Sequence, residues 1–221
     1  MKKIFLGGGG GERDSIELDK HFVSLLDPNK PLIYIPVAMK EEKYAGCQQW
    51  FTSVFSLLGV TQIDMRTDLR QDLKVDQVAG LYIGGGDTVK LWKELSDSGF
   101  DAILKQFIEQ GMPVYGGSAG AIVFGKDIRS SPEGKNQVAD ASLALDILYG
   151  HVVYCHMATL ADAEAVQKDL NLPVIALSER SGAYLQDQEL EAIGFDSVWI
   201  LGENAPLEIK PGAKHTLKNN S

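Results

Sequence analysis

The stretch Val114-Tyr115-Gly116-Gly117-Ser118-Ala119-Gly120-Ala121 sets a serine between two glycines in the order glycine-x-serine-x-glycine. That order fits a nucleophile elbow when a strand precedes it and a helix follows, as the apolar run 113–115 and the helix-forming residues after Ser118 suggest. The chemistry explains the spacing. The serine must sit on a strained turn with its hydroxyl exposed above a sheet, and Gly116 and Gly120 remove side chains that would clash there. The amide of Ala119, at the expected helix start, is placed to face a developing oxyanion.

A serine nucleophile needs a base, and the chain has four histidines. His215 lies in a polar tail and His21 on an amphipathic stretch. His151 and His156 bracket the apolar run Val152-Val153-Tyr154-Cys155. Five residues apart on a strand, they face opposite sides, so one of them serves a given site. His156 follows the run, at the edge where doubly wound sheets bind ligands, and is the stronger candidate. Glu179, at another expected strand end, could orient and stabilise an imidazolium, with Glu133 as a second acidic candidate.

Two further glycine turns stand out. Tyr82-Ile83-Gly84-Gly85-Gly86-Asp87-Thr88 reads as a strand, a turn and a helix start capped by Asp87 or Thr88. Gly7-Gly8-Gly9-Gly10-Gly11 follows the first apolar run, but no register completes a dinucleotide fingerprint, because Glu12 or Arg13 occupies the sixth position. A loose turn at the carboxyl edge of the sheet is expected there, with nucleotide binding as an alternative.

The elements that must hold these residues alternate. Short apolar runs at 4–6, 32–36, 62–65, 80–83, 113–115 and 173–177 read as strands, several of them apolar on successive residues, as in strands covered on both faces. Amphipathic stretches at 41–58, 87–95 and 100–110 read as helices, with Gly59 and Gly111 as stops. Strand–helix–strand repetition predicts right-handed crossovers and a mainly parallel sheet. Segments 183–186, 189–193 and 197–201 read as an antiparallel meander at the sheet edge, and 213–221 as a frayed tail. One domain over 1–221 is expected.

Composition narrows the class. The 221 residues are 44% hydrophobic and 23% charged, ordinary for a globular chain. With 21 Lys and Arg against 30 Asp and Glu, the net charge of −9 argues against coating nucleic acid. No apolar run nears the roughly 18 residues of a spanning helix, and the N-terminus lacks a signal-peptide core. Cys47 and Cys155 have no metal-ligand spacing and are expected to be reduced, buried thiols of a cytoplasmic protein.

Taken together, Ile83–Thr88, Gly116–Ala121, His156 and Glu179 resemble the dipeptidase E and cyanophycinase family of serine peptidases. The resemblance implies a three-layer αβα sandwich like the class I glutamine amidotransferases, with a mainly parallel central sheet. By that similarity Ser118 would be the nucleophile, His156 the base and then acid, and Glu179 the third member. Gly86 or Asp87, with Ala119, would supply the oxyanion hole. It further implies hydrolysis of short peptides through an acyl-enzyme, with N-terminal aspartate as a possible preference. Arg129 or Arg180 would then meet the substrate carboxylate, with Glu133 nearby. The sequence departs from the family at Asp87, at Gly117 and around His156. No cofactor or metal, no nucleic acid and no membrane partner is expected, and the protein is expected to act as a monomer or homodimer. A silent relative that binds peptides or small molecules without turnover is the alternative.

Overall fold

The computed structural model describes residues 1–137 and 144–218. In chain order it forms β1 (Lys3–Gly7), α1 (Ile16–Ser24), β2 (Leu32–Ile35), α2 (Tyr44–Leu57), β3 (Ile63–Met65), β4 (Gly80–Ile83), α3 (Thr88–Ser98), α4 (Phe100–Glu109), β5 (Pro113–Gly117) and the single turn α5 (Ala119–Ile122). There follow α6 (Pro132–Gln137), β6 (Val152–Tyr154), α7 (Leu160–Leu170), β7 (Val174–Ala176), β8 (Ser181–Gln186), β9 (Glu189–Gly194), β10 (Val198–Leu201), β11 (Leu207–Ile209) and β12 (Lys214–Thr216).

An eight-stranded sheet has the order β12-β9-β8-β1-β5-β4-β2-β3. The five strands from β1 to β3 in that order are parallel, and β8, β9 and β12 extend it antiparallel. Alternate strand residues supply two cores, as the two-residue period of a strand requires. Ile4, Leu6, Ile33, Leu81, Ile83 and Val114 pack with Leu91, Leu95, Leu104 and Phe107 of α3 and α4. Phe5, Tyr34, Tyr82 and Tyr115 turn the other way, onto Phe22 of α1 and Phe51 and Phe55 of α2. Ring contacts bind this second layer, with Tyr34 stacked on Phe51 at 4.0 Å and Tyr82 on Tyr115 at 4.3 Å. Truncating a buried ring such as Phe51 to alanine typically costs about 3–5 kcal/mol.

Three expectations are corrected. The strand at 173–177 and the run before His156 leave the main sheet and form a second, four-stranded one, ordered β11-β10-β7-β6. There Val152, Val174, Ala176 and Leu201 bury against Ala163 of α7, a core separate from the two that flank the large sheet. The third meander segment, β10, also belongs to this sheet, pairing antiparallel with β7. Finally, the tail is not frayed up to residue 218. β12 pairs with β9, Leu217 is buried, and Lys214 reaches Glu189 at 2.7 Å. Residues 219–221 lie outside the described residues.

Helix ends are set locally. Asp87 caps α3 by accepting the Lys90 amide at 2.9 Å, and Gly99 closes it at φ 75°. The Lys90 ammonium donates to the carbonyls of Val37 at 2.5 Å and Met39 at 2.7 Å, tying the segment before α2 to α3. No helix among the described residues is long and apolar enough to cross a membrane.

Candidate active site

Ser118 follows β5 directly, with φ 50° and ψ −110°, a sparsely populated conformation for a residue with a side chain. Hydrogen bonds hold it there. Its N–H donates to Gly7 O at 3.0 Å, and its carbonyl accepts from Ala121 at 2.8 Å and Ile122 at 3.0 Å. The two elbow glycines are required sterically. A Cβ on Gly116 would stand 2.4 Å from the Gly120 carbonyl carbon, and one on Gly120 would stand 2.2 Å from Ile83 O. The helix beyond the serine is a single turn, so the useful group at its start is the Ala119 amide, which has no acceptor within the helix.

The Ser118 hydroxyl lies 2.9 Å from His156 Nε2. His156 Nδ1 lies 3.0 Å from Glu179 Oε1. A carboxylate can only accept, so this pairing assigns the ring proton to Nδ1 and leaves Nε2 to accept from the serine. His156 enters at φ 55° just after β6, its N–H donating to Gly8 O at 3.0 Å. Glu179 sits in the turn between β7 and β8. Both side chains are open to solvent, at 48% and 61% exposure, so substrate can reach them.

The N-terminal glycines prove to be packing surface for this cluster. A Cβ on Gly8 would stand 1.8 Å from Ser178 O, one on Gly9 2.3 Å from His156 Cε1, and one on Gly10 2.2 Å from Glu179 O. The run is therefore a close-packed cradle. The failed dinucleotide fingerprint gave no hint of this, since Ser178, His156 and Glu179 lie far along the chain from Gly8, Gly9 and Gly10.

The other expected residues divide. Gly86 stands in the turn before α3 at φ 141°, while Gly85 backs onto the serine, its Cβ position 3.2 Å from Ser118 Cβ. Asp87 is corrected as an oxyanion donor, because its N–H is given to Ala38 O at 3.0 Å. Arg129 pairs with Asp127, Nη2 to Oδ2 at 2.6 Å, and lines a separate cavity with Lys135, Tyr154 and Asp169. Glu133 opens α6, which packs on the Ile128–Ser130 turn and α3. Arg180 lies over the Phe195 ring, between Asp14 at 3.8 Å and Asp196 at 3.9 Å.

His151 is buried, with Nδ1 2.9 Å from Leu148 O, and burial lowers its pKa. Cys155 is buried beneath the elbow, its thiol 3.7 Å from Ser118 O, and burial pushes its pKa up to about 12. Cys47 corrects the expectation of two buried thiols. It is only partly buried and lines a cavity of about 510 Å³ that opens beside Ser118.

The model of peptidase family S51 matches residues 4–193. Peptidase E of Pasteurella multocida is 22% identical over 82% of each chain. A shorter match, 37% identical, joins 34% of this chain to 38% of the pyridoxal 5'-phosphate synthase subunit PdxT of Clostridium botulinum. The crystal structure of a peptidase from an acI-B1 Actinobacterium superposes with a TM-score of 0.80 at 18% identity, covering 98% of this chain and 97% of that one. The fold is thus the mixed α/β arrangement of class I glutamine amidotransferase-like proteins, a large, mostly parallel sheet flanked by helices.

Proposed function

The chain belongs to peptidase family S51, a family of serine peptidases, and from that premise we propose that it hydrolyses short peptides through an acyl-enzyme on Ser118. The observation that carries this reading is the continuous line from the Ser118 hydroxyl to His156 Nε2 at 2.9 Å and from Nδ1 to Glu179 at 3.0 Å. His156 takes the serine proton as Oγ attacks the scissile carbonyl. Glu179 holds the ring in the productive tautomer and stabilises the imidazolium. The amides of Gly86 and Ala119 receive the oxyanion. His156 then returns the proton to the leaving amine, and water releases the acyl group by the same steps in reverse order. The free thiols of Cys47 and Cys155 support a reducing, cytoplasmic compartment.

Hydrolysis of a panel of dipeptides tests the reading. Ser118→Ala and His156→Ala should each lower kcat by about 10⁴ or more while leaving the thermal transition in place. His151→Ala should retain the site chemistry and lose stability instead. Turnover surviving in Ser118→Ala at a tenth of wild type or above would remove the serine mechanism.

A further inference from the structure

The cavity beside Ser118 is walled by Tyr34 and Tyr82 from the sheet, by Met39, and by Cys47 and Trp50 of α2. Its volume of about 510 Å³ falls within the roughly 300–1,000 Å³ of small-molecule sites. We infer that it receives a large apolar or aromatic side chain flanking the scissile bond, so that cleavage falls beside such residues and not beside aspartate. This rests on Ser118 being the nucleophile, because it is the serine that makes the cavity a neighbour of the scissile bond.

Three observations carry it. First, among the described residues the one cation in the lining is Lys43, and it is exposed and stands beside an acid. The charged members of the lining, Glu42 and Lys43, are exposed neighbours of opposite sign at the start of the α2 region. Both arginines expected to meet an aspartate are held elsewhere, Arg129 by Asp127 and Arg180 between Asp14 and Asp196. Second, the wall is rigid where it is aromatic. Tyr34 stacks on Phe51 and Tyr82 on Tyr115. Flat rings held in place by stacking suit an apolar side chain.

Third, Gly46 lies on the cavity face of α2, one helical turn before Trp50. Glycine weakens a helix, and here no neighbour demands it. A Cβ at Gly46 would meet nothing within 4 Å. Packing within the protein leaves this glycine unexplained, whereas room for a ligand explains it. Trp50, partly exposed at 39%, supplies the matching apolar surface on the same face.

The experiment compares Phe-Ala, Ala-Phe, Asp-Ala and Ala-Ala as substrates of wild type and Gly46→Leu, with diisopropyl fluorophosphate labelling of wild type measured in parallel. For wild type, kcat/KM for the better phenylalanine dipeptide should exceed that for Asp-Ala by about 10–10²-fold, the range expected for seating one large apolar group. Gly46→Leu, which fills the cavity, should lower the ratio of phenylalanine to Ala-Ala turnover at least about tenfold. A labelled wild type that prefers Asp-Ala, or a ratio unchanged by Gly46→Leu, would overturn the subsite while leaving the serine reading intact. A folded wild type that takes no label and turns over none of the four would overturn the serine reading, and the subsite with it.

Discussion

Ser118 sits at φ 50°, and a side chain in such a sparsely populated region typically costs about 1–3 kcal/mol. The strain is maintained by the bonds from Ser118 N–H to Gly7 and from Ala121 and Ile122 to its carbonyl. Alanine keeps the strain and glycine relieves it. Ser118→Gly should therefore melt about 2–4 °C above Ser118→Ala, both without activity, as seen by calorimetry. Equal melting temperatures would show that the elbow stores no strain. The serine and its histidine were legible in the sequence because each is marked locally, by glycine spacing in one case and by the end of an apolar run in the other. The fate of Asp87 was not legible. Its amide is taken by Ala38, about 50 residues earlier, and nothing near Asp87 announces that partner.

At the scale of elements, the site is a meeting of three loops, one after β5, one after β6 and one after β7, over the loop that follows β1. Most strands and helices could be read from periodicity, because β1, β2, β4 and β5 are continuous apolar runs. The second sheet could not, since β6, β7 and β10 are as apolar as the others and only their packing on α7 separates them. The end of β1 and the glycine loop after it join the two sheets, with Gly7 giving its carbonyl to Ser118, Gly8 giving its own to His156, and no space left for a Cβ at Gly9. Gly9→Ala should push His156 off the serine, because the added carbon would stand 2.4 Å from Nε2 and φ is 105°. We expect kcat to fall by at least about 10²-fold, the scale of an ångström-sized misplacement, with KM little changed. Gly11→Ala is the matched control, since its Cβ would meet only Asp14 Oδ2 at 3.8 Å. Similar kinetics for the two variants would deny the loop its positioning role.

For the molecule as a whole, the telling group is Asp19, buried under the aromatic layer with the Ser15 hydroxyl donating to Oδ2 at 2.7 Å. Burial dominates and raises its pKa from 3.8 to about 6. The Ser15 hydroxyl, and after it that of Tyr115, act to lower it, while Oδ1 is left without a hydrogen-bond partner among the described residues. The folded protein thus binds this proton more tightly than the unfolded chain does. Its stabilising contribution is complete below about pH 3.8 and is lost as pH rises through about 6. At about 1.4 kcal/mol per pH unit the loss is about 3 kcal/mol. Urea unfolding between pH 3.5 and 7 should show this downward component in wild type and not in Asp19→Asn, and parallel curves would contradict it. None of this buried chemistry lies within the line from Ser118 to Glu179, whose activation is the central claim. The most direct test is intact-mass measurement after treating folded protein with a fluorophosphonate. One adduct on wild type, absent from Ser118→Ala, is the predicted result. An unlabelled wild type, or an adduct that persists in Ser118→Ala, would contradict it.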